Sequence, residues 1–166
     1  DLTVAVGYAA ATSNGTRALV AGGNSVINTI GFGSIAQTGN FADFGDLTVA
    51  RNALVGICSP VRAVFAGGTD GSSPSPAFLN TIDYVTISST GNATDFGDLT
   101  VGRDSISSGS SETRGVFAGG YNGAAVGLRD TVDYVTIAST GDGTDFGDLS
   151  SRSSNGAGAS NSTRLL

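Results

Sequence analysis

Aspartate residues at short, regular spacing come nearest in this sequence to a metal-binding or catalytic motif. Asp142, Asp145 and Asp148 lie three positions apart in a segment rich in Gly and Thr, and carboxylate oxygens in such turns can bind Ca²⁺. The spacing fits neither the EF-hand nor the Gly-Asp nonapeptide pattern, and Asn92 replaces Asp142 in the preceding repeat. We therefore predict that these residues cap turns and pair with recurring Arg side chains, with a calcium site as the alternative. The recurring Arg residues begin the second strand of each repeat, and we expect them to be structural rather than ligand-binding: Arg17, Arg62, Arg114 and Arg164.

The tetrapeptide Asp-Phe-Gly-Asp occurs three times, beginning at Asp43, Asp95 and Asp145. In protein kinases Asp-Phe-Gly holds Mg²⁺, but that chemistry also needs a phosphate-binding loop and a catalytic loop, and neither accompanies the motif here. The Gly-Gly pairs of each repeat lack the G-x-G-x-x-G spacing of a nucleotide loop. We predict that these glycines allow close backbone approach, and we expect no metal and no cofactor.

The residue types that are missing exclude most catalytic sites. The 166 residues contain no His and no Lys, so all eight cationic residues are Arg. Without His there is no Ser-His-Asp triad and no imidazole metal ligand, and without Lys there is no Schiff base. We therefore expect a protein that is not an enzyme. The formal net charge of −6 also argues against nucleic acid, which binds mainly through basic residues.

Cys58 is the only cysteine, so neither a disulfide nor a thiolate zinc site can form within the chain. It lies in an apolar run over residues 54–58, and we predict a small buried core residue. No apolar stretch reaches the length of a membrane span, so a membrane is not an expected partner. The start at Asp1, without initiator Met or signal pattern, suggests a processed chain or part of a longer polypeptide.

Short strands joined by turns are the elements that must hold these residues. The sequence has 26 Gly and 3 Pro with abundant Ser, Thr and Asn, and no stretch keeps an apolar stripe at helical spacing. At 39% hydrophobic residues the chain can bury a core. We predict an all-β fold with almost no helix.

The sequence repeats at intervals of 45, 52 and 50 residues, with origins at 1, 46, 98 and 148. Such periods are typical of propeller blades or repeat arrays. Only the loop after Gly-Gly varies in length, with 4, 11 and 9 residues, as expected when strands are held in register and a surface loop is not. We predict a single repeat domain over 1–166, with units at about 1–45, 46–97 and 98–147 and a partial unit at 148–166.

Each unit divides into four predicted strands. In the third unit these are residues 105–110, 114–118, 131–139 and 145–149. The third of them is rich in β-branched and aromatic residues, with Val132 and Tyr134 on one face and Val135 and Ile137 on the other. A strand that is apolar on both faces is covered on both sides, as in a sheet sandwiched between neighbouring sheets.

The repeat resembles the Kelch repeat over the whole chain. That family's blade has a strand ending in Gly-Gly, a variable loop, a Tyr-bearing strand, an aromatic in the fourth strand and then an Arg. The matching residues are Gly67-Gly68, Tyr84, Phe96 and Arg103, and again Gly119-Gly120, Tyr134, Phe146 and Arg152. The departures are Phe44, Phe96 and Phe146 where the family has Trp, Phe32 for Tyr, Val6 for Arg, and Arg152 one position early.

The resemblance implies an all-β, Kelch-like β-propeller with about three and a half four-stranded antiparallel blades in this chain. The amino-acid sequence of the repeats is also similar to that of repeats in virion structural and fibre proteins of tailed phages. Propellers close four to eight blades into a ring, so we expect other copies of the chain, or the rest of a longer chain, to complete it.

In such a meander the variable loops all emerge on one face of the ring. This loop face offers aromatic side chains beside polar ones, as recognition surfaces do, either for a glycan or receptor protein or for neighbouring subunits. The candidate binding residues are Asp70, Ser72, Phe78, Tyr121, Asn122 and Arg129.

Two functions follow from this interpretation. The first is a structural or binding module of a phage virion, as fibre or decoration protein, or of another extracellular assembly. The alternative is a carbohydrate-binding adhesin domain of a bacterial surface protein, which clustered loop aromatics would favour. A Kelch-type oxidase resembling galactose oxidase would need His ligands that the sequence lacks. The expected location is therefore extracellular or in a virion.

Overall fold

A computed structural model describes residues 1–2, 5–123 and 127–161. Within this part the protein is all-β, with no helix, and therefore no helix that could cross a membrane. The strands are β1 (Ala10–Ser13), β2 (Arg17–Ala21), β3 (Thr29–Ser34), β4 (Ala42–Asp46), β5 (Val55–Cys58), β6 (Arg62–Ala66), β7 (Thr81–Thr86), β8 (Thr94–Asp98), β9 (Ser107–Ser110), β10 (Arg114–Ala118), β11 (Arg129–Thr136) and β12 (Thr144–Ser153). The predicted all-β class is confirmed.

The strands form three antiparallel four-stranded sheets, each a simple meander in chain order. The register repeats from sheet to sheet: Leu19 pairs with Phe32 in the first sheet, and Val64 pairs with Tyr84 in the second. Each sheet also has a register shift between its third and fourth strands. The four predicted strands per unit are therefore confirmed, and the described residues do not close into a ring.

Strand β12 is longer than predicted. The fourth predicted strand ended at residue 149, but β12 continues to Ser153, which lies opposite Arg129 at the start of β11. In the first two sheets the chain leaves the fourth strand at Asp46 or Asp98 and crosses to the next sheet. The two crossing segments make an equivalent contact just before their own third strands without being strands: the N–H of Arg51 donates to Ile27 O and that of Arg103 donates to Leu79 O, each at 3.2 Å.

The core consists of two apolar layers between successive sheets. We call the side of a sheet that faces the next sheet along the chain its forward face, and the other side its backward face. In the first layer, Leu19, Ile30 and Phe44 meet Phe65, Val85 and Ile87. In the second layer, Val64, Ile82 and Phe96 meet Phe117, Val135 and Ile137. The second sheet is thus covered on both faces, as its apolar third strand predicted.

Crossing segments connect the sheets and join both layers. Residues 46–54 pass from the first sheet to the second and bury Leu47 and Leu54 in the first layer. Residues 98–106 do the same for the second layer with Leu99 and Ile106. The first strands of successive sheets lie side by side, β1 next to β5 and β5 next to β9, so the crossing segments lead into strands along a shared inner edge.

Candidate functional site

The turn residue Asp142 makes a hydrogen bond between two sheets. Its Oδ1 accepts from the backbone N–H of Asp98 at 3.0 Å, and the Oδ1 of Asn92 accepts from the N–H of Asp46 at 3.1 Å. Asn and Asp share this acceptor oxygen, which explains why either residue occupies the position. In the described parts of the chain no three His, Cys, Asp or Glu side chains are grouped so as to hold a metal ion.

Backbone hydrogen bonds complete this contact, which we call the turn clasp. In the first clasp the N–H of Gly91 donates to Phe44 O and the N–H of Ala93 donates to Asp46 O, each at 2.7 Å. A Cβ on Gly45, whose φ is 144°, would overlap the carbonyl oxygen of Gly91. The second clasp repeats the geometry between residues 96–98 and 141–143. The turn before each of these fourth strands is therefore hydrogen-bonded to the fourth strand of the preceding sheet.

Buried ion pairs tie each crossing segment to the sheet that it enters. The guanidinium of Arg51 lies 2.8 Å from Asp83, and that of Arg103 lies 2.9 Å from Asp133, with all four side chains fully buried. Thr48 Oγ1 donates to Asp83 Oδ1 at 2.5 Å. Burial lowers the pKa of Arg51 against the opposing charge of Asp83, and burial raises the pKa of Asp83 despite the nearby guanidinium. Removing either partner would leave the other charge buried and unpaired.

The predicted pairing of the turn Asp residues with the Arg residues that begin each second strand is wrong. Arg17 and Arg62 lie over the rings of Phe32 and Tyr84, at 5.0 and 4.5 Å from the ring centroids. Their guanidinium groups also donate to carbonyl oxygens of the next sheet, those of Ile87 and Ile137, at 2.7 and 3.0 Å. These residues are structural, as expected, but they bind aromatic rings and carbonyls. Arg164 lies outside the described residues.

The Gly-Gly pairs make room for the crossing segments. Gly22 has a φ of 66°, and a Cβ there would lie 2.5 Å from Arg51 O. The N–H of Gly23 donates to the same oxygen at 3.1 Å. Gly67 and Gly68 repeat this contact with Arg103 O. The predicted close backbone approach is present, and the approaching backbone is that of the crossing segment.

Cys58 belongs to a ladder of small polar residues along the inner edge. Its thiol donates to Ser13 O at 2.7 Å, Ser110 Oγ donates to Cys58 O at 2.8 Å, and Ser160 Oγ donates to Ser110 O at 2.8 Å. These residues occupy equivalent positions in the four units. Cys58 is half-buried and packs against the first layer, while the inner-edge strands place its thiol against a neighbouring backbone. The prediction of a buried core cysteine is therefore correct only in part: Cys58 packs against the first layer but is not fully buried.

The loop face brings together two of the predicted binding residues. The rings of Phe78 and Tyr121 meet edge to face, with centroids 5.5 Å apart. Each comes from the variable loop of a different sheet, and Tyr121 remains 40% exposed. Side chains at Gly123 and Gly127 would overlap these rings, so the glycines leave the space that the rings fill.

The other four predicted residues support the loops or flank them. Asp70 Oδ1 accepts from the N–H groups of Ser72 and Ala77, and these bonds lower the pKa of Asp70. Ser72 Oγ donates to Ser75 O at 2.9 Å. The N–H of Asn122 donates to Gly127 O within its own loop. Arg129, predicted as a loop residue, is the first residue of β11 and is half-buried.

The forward face of the third sheet is an open apolar surface. Phe146 is 57% exposed, whereas its equivalents Phe44 and Phe96 are each 2% exposed. With Val116, Val132 and others it lines an open cleft of about 710 Å³. The apolar pattern on both sides of the third strand predicted such a face wherever no further sheet covers it.

These surfaces suit binding: a loop face with paired aromatic rings, and an apolar sheet face bordered by polar groups. Comparison with known protein families finds no matching family model, and comparison with curated proteins finds no significant match.

Proposed function

We propose that this chain is a non-enzymatic structural and binding module of a Kelch-like β-propeller, in a phage virion as fibre or decoration protein or in another extracellular assembly. The observation that carries the proposal is the repeated interface between sheets: the same layer, clasp and ion pair occur twice, and an equivalent apolar face is left open. A module built in this way works by associating with further sheets. The partners proposed are other copies of the chain or the rest of a longer chain, without nucleic acid or membrane.

Residues at the Kelch-type positions support the propeller interpretation. Gly-Gly receives the crossing segment, and Tyr84 stacks edge to face on Phe96 at 5.9 Å, where Phe replaces the family's Trp. Arg103 enters the next sheet and pairs with a buried acid there. The absence of His and Lys from the sequence supports a non-enzymatic role.

The loop face supports recognition of a glycan or receptor protein, and it favours the alternative of a carbohydrate-binding adhesin domain. Phe78 and Tyr121, which come from two different loops, form an edge-to-face aromatic pair at the surface, with Tyr121 40% exposed. Aromatic side chains provide contact area at low entropic cost, and sugars bind to such surfaces by stacking and hydrogen bonding.

Two measurements test the proposal. Native and denatured masses establish whether the chain associates, and a glycan array establishes whether the loop face binds sugars. We expect Tyr121→Ala to lose glycan binding, while Val61→Ala, at an exposed apolar residue in a turn at the opposite end of the sheets, retains it. A chain that stays monomeric and binds neither glycan nor receptor protein would contradict the proposal.

A further inference from the structure

We propose that the forward face of the third sheet binds the backward face of the first sheet of a second copy, so that two chains close head to tail into a ring of six sheets. This inference rests on the proposed function and names its partner. Six sheets fall within the range in which propellers close. The native particle would then have twice the 16.4 kDa mass of the chain.

The forward face of the third sheet is built like the two faces that are covered. Val116, Val132 and Phe146 occupy the positions of Val64, Ile82 and Phe96 in the second sheet. Arg114 lies over the ring of Tyr134 at 4.4 Å, as Arg62 lies over that of Tyr84. Because Arg62 also donates to Ile137 O of the next sheet, Arg114 is placed to reach the equivalent carbonyl of an occupant. The residue of the first sheet that is equivalent to Ile137 is Ile35, which is 51% exposed.

The backward face of the first sheet is apolar like that of the second sheet, although a different residue supplies one of the side chains. Gly33 stands where the second sheet has Val85, and the ring of Phe41 fills the space, 2.8 Å from where a Cβ of Gly33 would lie. Val20 replaces Phe65, and Ile35 matches Ile87. The face thus presents apolar side chains at the positions that a partner's forward face would meet.

The first sheet also carries a turn clasp, with a pair of hydrogen bonds that the other two also make. The amino group of Asp1 donates to Asn40 Oδ1 at 2.6 Å, and the N–H of Phe41 donates to Asp1 O at 2.8 Å. Asp46 makes the same pair of bonds with Asn92 and Ala93. Asp1 therefore holds the position that the end of a preceding fourth strand holds elsewhere, and Asp148 is the equivalent residue at the end of the third sheet.

Charge identifies the first sheet as the matching occupant. The sheet that Arg51 or Arg103 enters supplies a buried Asp, but the residue at the same offset after the third sheet is Ser153. Arg152, one position earlier, is 51% exposed and pairs with Asp130 of its own sheet at 3.5 Å. The first sheet correspondingly has Gly31 at the Asp position. A sheet of the second or third type would bury an Asp without its Arg, which is strongly unfavourable, whereas the first sheet buries no such charge.

The partial fourth unit resembles the first unit at a second position. Asn161 matches Asn14, whereas the second and third units have Ser59 and Ser111 there. Residues 148–161 of one copy and the described residues 1–2 and 5–14 of the other therefore take equivalent positions beside the third sheet, and only one of the two segments can occupy them when the copies join. Because β1 is hydrogen-bonded to β2 along its length, we expect residues 154–161 of one copy to be displaced. Because Asp148 is held in β12, we expect Asp1 of the other copy to leave the clasp and Asp148 to take its place on Asn40 and Phe41.

The test uses the full chain and one substitution on each face. Analytical ultracentrifugation over a range of concentrations should show a dimer for the wild-type chain. Phe146→Asp and Ile35→Asp should each weaken association by roughly a hundredfold or more, because each places a charge in the apolar layer. Since each variant retains one intact face, an equimolar mixture should form dimers with one junction. Val61→Asp, at a residue 61% exposed and away from both faces, is the matched control.

A tryptophan reporter gives an independent reading, since the chain contains no Trp. Fluorescence of Phe146→Trp should shift to the blue as concentration rises, while Phe96→Trp, within the covered layer, should not change. A wild-type chain that stays monomeric, or variants that associate like the wild type, would overturn the proposal. Loss of association in both variants without recovery on mixing would overturn the head-to-tail arrangement. A monomer that still binds glycan would overturn only this inference, leaving the proposed binding function intact.

Discussion

The forward faces of the second and third sheets carry equivalent side chains in the same register, yet one is a core and the other a surface. Phe96 is 2% exposed and Phe146 57% exposed, although each packs edge to face on the Tyr of its own sheet. The difference lies entirely in the neighbouring sheet. A repeat sequence therefore determines what a face can bind, while the presence of a neighbour determines whether that capacity is already used.

Truncating the two phenylalanines would sharpen this comparison most. Phe96→Ala removes a ring from a closed layer and should lower the free energy of unfolding by about 3–5 kcal/mol. Phe146→Ala should lower that of the isolated chain by less than about 1 kcal/mol, because its ring is mostly in water. Urea unfolding of both variants at a concentration where the chain is monomeric measures the difference, and equal losses would contradict the exposed position of Phe146.

The buried ion pair gives the next largest effect, and the first unit supplies its control. Arg51→Val leaves Asp83 buried without its partner and should cost about 3–5 kcal/mol of stability. The double variant Arg51→Val with Asp83→Gly copies the residues Val6 and Gly31 of the first unit. It should be more stable than Arg51→Val alone, with a coupling of up to about 3 kcal/mol. Denaturant unfolding of the single and double variants tests this, and additive losses would refute the coupling.

Equivalent glycines in two fourth strands differ in whether a turn of the next sheet lies against them: Gly97 is in contact with such a turn and Gly147 is not. A Cβ at Gly97 would meet Gly141 O at 2.5 Å, whereas one at Gly147 would have no neighbour within 4 Å. Both have positive φ, 143° and 122°, so the backbone strain of an alanine is similar at the two positions. Gly97→Ala should therefore be the more destabilising by about 1–3 kcal/mol in thermal or urea unfolding of the monomer. Equal losses of stability in the two variants would mean that backbone strain alone, and not the contact with Gly141 O, determines the effect.

Sequence patterns predicted the third strands well because these are rich in β-branched and aromatic residues, and the repeated offsets located the other strands and the loops. They did not identify the buried ion pairs, since Arg51 and Asp83 are distant in sequence while the conspicuous Asp residues lie in exposed turns. One signal was present: the unit that lacks the Arg, at Val6, also lacks the Asp, at Gly31. The end of β12 at Ser153 was not predicted, because residues 150–153 read Ser-Ser-Arg-Ser and contain no β-branched or aromatic residue that would indicate a strand.

The smallest predicted effect concerns Asp104, whose equivalent in the preceding crossing segment is Asn52. Burial raises the pKa of Asp104, and its Oδ1 is buried without a hydrogen-bond partner. The folded protein therefore binds the proton more tightly than the unfolded chain. The resulting stabilisation is complete below the unfolded pKa of about 4 and is lost as pH rises through the folded pKa.

Asp104→Asn removes this dependence while keeping a side chain that the fold already uses at the equivalent position. At pH 7 we expect the variant to be more stable than the wild type by a few tenths of a kcal/mol, with the advantage shrinking as the pH falls toward 4. Urea unfolding at several pH values measures this trend. The reciprocal change Asn52→Asp should lower stability at pH 7 and recover it in acid. An advantage of Asp104→Asn that is independent of pH would show that its carboxylate is not the cause.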